Sequence, residues 1–207
     1  MKIVIISDIH GNYDAWSAFP EKAYDELWVL GDLVNYGPQP REVVEEIMEK
    51  ASLVVQGNHD YAIGHDDGSH WSARWRALSE ACSSLTSSAL NEEQKAYLRG
   101  LPIQLQVERC GYRFHLVHAK PSDPHYGKWP LEREEWQSEL ESLQADFLFV
   151  GHTHIPHLRR AGNKVFLNPG SIGQPRSGFS HASYAVWQGG EIELKSYKYP
   201  ISNTVKK

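Results

Sequence analysis

The sequence predicts an α/β protein, a mixed α/β sandwich of two sheets, and two observations predict it. From Ile3 to Gln56, short apolar runs alternate with helical patterns. This β-α-β-α-β opening implies a parallel sheet covered by helices. The second half then turns to strand-like runs separated by glycine and asparagine turns, enough for a second sheet.

Ile3–Ser7 reads as a first buried strand, and Asn12 can cap a short helix running to Phe19. Leu27–Leu30 is a second strand. Pro38 and Pro40 lead into a helix over Arg41–Lys50, with Val43, Val44, Ile47 and Met48 on one face. Leu53–Gln56 is a third strand. Residues from about Trp71 to Leu90 read as helical, and Asn91-Glu92-Glu93-Gln94 forms a capping box for a helix to Arg99. Ile103–Glu108 and Tyr112–Val117 flank a hairpin turn at Cys110-Gly111. Arg133–Leu143 is a further helix. Phe147–Val150, Lys164–Leu167, Tyr184–Trp187 and Glu191–Tyr197 are strands, and the residues through Lys207 form a loose tail.

A length of 207 residues suggests one domain over 1–207, with a helical insert at about 61–98. Twenty-one basic residues against 26 acidic ones leave a net charge of −5, which argues against long nucleic acid as a partner. A nucleotide remains compatible, because bound divalent ions reverse the local sign. Cys82 and Cys110 lack metal-ligand spacing and suggest no disulfide framework. Met1–Ser7 is too short for a signal peptide or a membrane span, and no later apolar run reaches spanning length, so a cytoplasmic location without a membrane partner is expected. Seven tryptophans exceed what a core needs, and Trp71, Trp75 and Trp129 are candidates to face a substrate base or a partner.

Five polar fragments each follow an apolar run. They are Asp8-Ile9-His10, Gly31-Asp32, Gly57-Asn58-His59-Asp60, His118, and Gly151-His152-Thr153-His154. Any one alone reads as turn chemistry. Together they place carboxylates, imidazoles and one amide at strand ends, where α/β sheets collect ligands. In an extended segment, residues two apart point the same way, so Asp8 and His10 are expected to share a face, as are His152 and His154. Asp8, His10, Asp32, Asn58, His118, His152 and His154 make seven candidate ligands, enough for two ions if Asp32 bridges. The donor mixture suits Mn, Fe, Zn, Ni or Co, with Mn the first expectation and Mg a further one. Two ions about 4 Å apart are a device for displacement at phosphorus. The remaining histidines, His65, His70, His115, His125, His157 and His181, read as structural or surface residues.

The ordered set Asp8-x-His10, Gly31-Asp32, Gly57-Asn58-His59-Asp60, His118 and Gly151-His152-x-His154 resembles the calcineurin-like metallophosphoesterases, over Ile3 to at least Gly173. Asn168–Arg176 resembles the small bacterial and archaeal phosphodiesterase branch. The resemblance implies a four-layer α/β/β/α sandwich with two mixed sheets. It implies that Asp8, His10 and His154 hold one metal, that Asn58, His118 and His152 hold the other, and that Asp32 bridges. It further implies attack by a metal-bridging hydroxide, with His59 acting near the leaving group and Asp60 orienting it. Protein phosphatases of the superfamily carry a phosphate-binding arginine where this chain has Tyr36, and Arg176 is the candidate substitute cation.

The leading expectation is a hydrolase of phosphodiesters or small nucleotides such as dinucleoside polyphosphates. Its rivals are a phosphomonoesterase or protein phosphatase, and a non-catalytic interaction scaffold of the same fold. The complete ligand set argues against the scaffold.

Overall fold

The computed structural model describes residues 1–71, 73, 76–127, 139, 141–178 and 180–205. The order begins β1 (Lys2–Ile6), α1 (Tyr13–Ser17), β2 (Glu26–Val29), α2 (Pro40–Lys50), β3 (Leu53–Val54) and α3 (Asn58–His65). Helices α4 (Arg76–Ala89) and α5 (Glu92–Gly100) follow. The second half contains β4 (Gln104–Arg109), β5 (Tyr112–Val117), β6 (Phe147–Phe149), β7 (His157–Ala161) and β8 (Lys164–Asn168). The chain then runs through β9 (Ala182–Gln188), β10 (Glu191–Tyr197) and α6 (Ile201–Val205).

These strands form two mixed five-stranded sheets, ordered β10-β9-β1-β2-β3 and β4-β5-β6-β8-β7. In the first, β1, β2 and β3 are parallel; in the second, β5, β6 and β8 are. Alternation along each strand builds the layers. Ile3, Ile5, Trp28 and Leu30 face the second sheet and meet Phe114, Leu116, Phe149 and Leu167 in the inter-sheet core. Val4, Ile6, Leu27 and Val29 point the other way, onto Val43, Val44 and Ile47 of α2 and Leu98 of α5. Strands buried on both faces read as continuous apolar runs, which is why β1 and β2 stand out in the sequence. The outer face of the second sheet carries Val117, Leu148, Val150 and Phe166, packed against Leu143. The predicted helix Arg133–Leu143 lies outside the described residues except for 139 and 141–143, of which Glu139, Glu141 and Ser142 are helical.

Local chemistry sets the element ends. Asn12 caps α1, its Oδ1 accepting from Ala15 N at 3.1 Å. Asn91 and Gln94 form the reciprocal capping box of α5, at 2.9 and 3.0 Å. Cys110 and Gly111 take φ of 53° and 79°, as the tight turn between β4 and β5 demands.

Several expectations need correction. Met48 does not join the buried face of α2 but is exposed, because 3.6-residue periodicity carries it past the edge of the stripe set by Val43, Val44 and Ile47. Trp71 precedes α4 rather than opening it. The edge strand β7 and the terminal α6 were not anticipated, and the supposed loose tail is tied down. Thr204 Oγ1 lies 3.2 Å from both Asn12 Oδ1 and Asp14 Oδ2, and Asn12 Nδ2 donates to Tyr199 Oη at 3.1 Å. Trp75 and Trp129 lie outside the described residues. No described helix is long and apolar enough to cross a membrane.

Candidate metal centre

All five polar fragments emerge at one end of the sandwich, beyond the carboxyl ends of the parallel strands. Asp8 and His10 follow β1, Asp32 follows β2, Asn58 opens α3 after β3, His118 follows β5, and His152 and His154 follow β6. The loops are laced to one another. Asp8, His10 and Gly11 N–H donate to the carbonyls of Gly31, Asp32 and Leu33 at 2.8–3.0 Å, and Gly151 N–H donates to His118 at 2.8 Å. Close approach requires glycine. A Cβ on Gly31, whose φ is +88°, would lie 2.5 Å from Gly57 N and 3.0 Å from His118 Nδ1.

Two groups result, and Asp32 belongs to both. Asp8, His10, Asp32 and His154 offer ligand atoms within 4.8 Å of one another, as do Asp32, His118 and His152. His154 Nε2 lies 3.2 Å from Asp8 Oδ1 and 3.1 Å from His10 Nε2. Asp32 Oδ2 is 3.2 Å from His118 Nε2 and 3.7 Å from His10 Nε2. His152 Nδ1 lies 3.1 Å from Asn58 Oδ1, which brings Asn58 to the second group.

The structure changes the reason for two of these pairings. Asp8 and His10 are not extended; their φ values are 53° and 49°. His152 and His154, at 66° and 61°, are left-handed too, and they serve different groups instead of sharing a face. Asp32 at 55° completes a set of five left-handed, non-glycine residues, a conformation that Asp and His enter more readily than bulky residues.

The donor chemistry fits divalent ions. The Nδ1–H groups of His10, His118 and His154 donate to the carbonyls of Val34, Leu30 and Gln174 at 3.0, 2.7 and 2.6 Å. That fixes three tautomers and turns each Nε2 lone pair inward, the second-sphere arrangement of metal-bound histidine. Two lone pairs 3.1 Å apart, on His10 and His154, repel unless a proton or a cation lies between them. Ligands about 2.1 Å from one ion at right angles stand about 3.0 Å apart. Asp8 Oδ1 and His118 Nε2 are buried, and their nearest polar neighbours among the described residues are fellow candidate ligands, His154 Nε2 and Asp32 Oδ2.

In the metal-free chain, imidazolium does the balancing. Burial disfavours charge on His118, but Asp32 outweighs it and pushes the ring up to about 10. Burial would raise Asp32, yet His118 and His59 hold it well below the carboxylate range. Burial depresses His10 to about 3 and His152 to about 4. A metal at the second group must therefore displace a proton from His118.

His59 sits beside the two groups rather than in either. Its ring packs edge-on to His10 and Tyr36, at 5.1 and 4.9 Å, and lies against Trp71 at 4.9 Å. Burial lowers its pKa. The partner of its imidazole is Asn35, whose Nδ2 donates to His59 Nδ1 at 2.9 Å. Among the described residues no hydrogen bond joins the Asp60 carboxylate to that ring. The carboxylate accepts from the backbone N–H of Asp32, Leu33 and Gly57 at 2.8, 2.8 and 3.0 Å, so it organises the Asp32 and Asn58 loops. Burial and the nearby Asp32 charge push Asp60 up to about 7.

Arg176 is exposed; its guanidinium donates to Gln174 Oε1 at 2.7 Å, and its field reaches the Tyr36 hydroxyl. Tyr36 also bonds Ser79 of α4, and Asn35 Nδ2 donates to Ser83 Oγ at 3.1 Å. Asn35 is the addition the structure makes, and Trp71, already a candidate in the sequence, lies against His59. Asn35 carried no signal beyond a turn residue near Gly37.

Comparison with known proteins agrees with this geometry. A family model described as the calcineurin-like phosphoesterase superfamily domain matches residues 1–189. The chain is 30% identical to an uncharacterized protein of Methanocaldococcus jannaschii, covering 99% of this chain and 90% of that one. It is 26% identical to phosphodiesterase YfcE of Escherichia coli, covering 90% and 86%. The crystal structure of a metallophosphoesterase from Sphaerobacter thermophilus superposes with a TM-score of 0.85 at 29% identity, covering 99% of this chain and 91% of that one.

Proposed function

The chain belongs to the calcineurin-like phosphoesterase superfamily, a family of phosphoric ester hydrolases, and from that premise we propose that it cleaves phosphodiesters or small nucleotides. The observation that carries the reading is the shared carboxylate. Asp32 lies at once in a group with Asp8, His10 and His154 and in a group with His118 and His152.

Asp8, His10 and His154 would hold one divalent ion, Asn58, His118 and His152 would hold a second, and Asp32 would contribute to both. Such ions, Mn by preference, would supply Lewis acidity at the phosphoryl oxygens and lower the pKa of water. The chain's own residues do the rest. The carbonyls of Val34, Leu30 and Gln174 fix which imidazole nitrogens face inward. His59, beside the ligands but apart from them, carries a proton toward the departing ester oxygen. Asn35 orients the His59 ring, and Asp60 keeps the loops of Asp32 and Asn58 in register. Arg176, exposed at the rim, is available to a phosphate oxygen. Tyr36, packed on His10 and His59, takes the position of the protein phosphatases' arginine, which favours a substrate other than a phosphoprotein.

The test is a substrate panel on Mn-loaded protein, comparing bis-p-nitrophenyl phosphate, p-nitrophenyl phosphate, cyclic nucleotides and dinucleoside tetraphosphates. Diester or dinucleotide turnover is expected to lead. Turnover confined to monoesters would reverse the assignment.

A further inference from the structure

One wall of the site is a ladder of rings that the apolar cores do not absorb. Tyr61, one turn into α3 after Asn58, stacks on His65 at 4.4 Å and 29°. It also meets His125 at 5.1 Å and 42°. His125 adjoins Tyr126 at 6.0 Å, and Tyr126 stacks on His70 at 4.9 Å and 30°. Trp71, next in sequence, lies on His59. The loop bearing His125 and Tyr126 follows directly from His118, and the charges of His118 and Asp32 bear on the His125 ring. None of Tyr61, His65, His70, His125 and Tyr126 belongs to an apolar core cluster. His65 and His70 are exposed, and His125 Nε2 is without a hydrogen-bond partner.

Core packing does not explain a wall that is half histidine, partly open to water, and beside the second ligand group. A run of stacked rings whose outer members, His65 and His70, are exposed forms a platform that can receive a planar heterocycle. We propose that the Tyr61–His125–Tyr126–His70 ladder is a subsite for a nucleobase, so that the substrate is a phosphoester of a nucleoside. This rests on the phosphoesterase reading and narrows its substrate class.

The probes are adenosine 5′-monophosphate and ribose 5-phosphate, which share sugar and phosphate and differ only in the base. Their binding to Mn-loaded protein is measured by calorimetry, alongside hydrolysis of bis-p-nitrophenyl phosphate. A stacked base should favour the adenosine compound by about 5- to 150-fold. Tyr61→Leu and Tyr126→Leu, with folding checked by circular dichroism, should each reduce that ratio at least about 3-fold, and His70→Ala, at an exposed position, serves as a third variant. Equal binding of the two probes to the wild type overturns the subsite. So does a parallel loss of both probes in the variants, the behaviour of rings that merely clasp the His70 segment to the His125 loop. The two readings fail separately. A normal base preference with no diester hydrolysis leaves the subsite standing and removes the phosphodiesterase reading; hydrolysis without base preference does the reverse.

Discussion

Asn35 Nδ2 stands 2.9 Å from His59 Nδ1, and the amide is itself buried in a left-handed backbone conformation with φ of 69°. The bond supports the neutral ring, as burial does. A carboxylate there would do the opposite. Asn35→Asp should raise the His59 pKa, by about 1 unit or more. The protonated ring then persists to higher pH, so the descending limb of kcat/KM for an alkyl ester moves up in pH. Asn35→Ala should cost about 10-fold, the scale of one lost buried hydrogen bond of about 1.4 kcal/mol. A pH profile that is superimposable in Asn35→Asp and wild type would separate Asn35 from the His59 proton.

General acid help matters most when the departing oxygen is strongly basic. His59→Ala should retain its metal while losing about 10²–10⁴-fold on an alkyl or nucleoside ester, and far less on a nitrophenyl ester. The check is kcat/KM against leaving-group pKa, with metal content in parallel. If both proteins give the same slope, His59 is not the acid.

The shared carboxylate predicts an asymmetry between ligand deletions. Asp32→Asn should weaken both ions, whereas His154→Ala should weaken mainly the one near Asp8 and His10. Metal analysis of each variant decides. Two ions per chain in Asp32→Asn would refute the bridge.

Removal of the ions should be visible without an assay. A metal present at 100 times its Kd stabilises the fold by about 2.7 kcal/mol per site. For a chain of this size, that is roughly 5–10 °C in Tm. Dialysis against a chelator should therefore lower Tm and abolish hydrolysis, and Mn should restore both. A chelated protein with unchanged Tm and full turnover would contradict the metal reading.

Glu21 offers a pH test remote from the site. Its carboxylate accepts from Lys2 Nζ at 2.6 Å, Lys195 Nζ at 3.0 Å and Tyr184 Oη at 3.1 Å, tying β1, β9 and β10 together. The Lys2 bond leads in holding Glu21 down to about 2, against an unfolded value of about 4.3. A depressed folded pKa means that the stabilisation is present above about pH 4.3 and is lost as pH falls toward 2. Glu21→Gln should cost on the order of 1 kcal/mol at pH 7 and little at pH 2. Urea denaturation at both pH values tests it, and a pH-independent difference would rule out linkage through this group.

How much of this was legible in the sequence depended on the range of each signal. Val43, Val44 and Ile47 marked α2 because burial and periodicity coincide within one helix. Asp8, Asp32 and His118 were readable because each follows an apolar strand, and parallel strands bring such ends together. Asn35 was not, since its meaning comes from a ring 24 residues away that only the fold brings near. The split between His152 and His154 came from the family resemblance, and spacing alone could not give it. Spacing of two implies a shared face only in extended backbone, and these residues are left-handed. The hold of α6 on Asn12 likewise depends on a contact between chain ends, which no local pattern announces.

The left-handed backbone at Asp8, His10, Asp32, His152 and His154 has an evolutionary consequence. Sparsely populated conformations of this kind cost on the order of 1–3 kcal/mol each, while glycine adopts them freely. Like charges and inward-facing lone pairs add to that tension in the metal-free chain. Replacing these side chains by glycine would make the polypeptide easier to fold. Random substitution therefore runs downhill, away from the ligand set and toward a sturdier, inert sandwich. The seven candidate ligands thus carry a folding cost that bound divalent ions would offset.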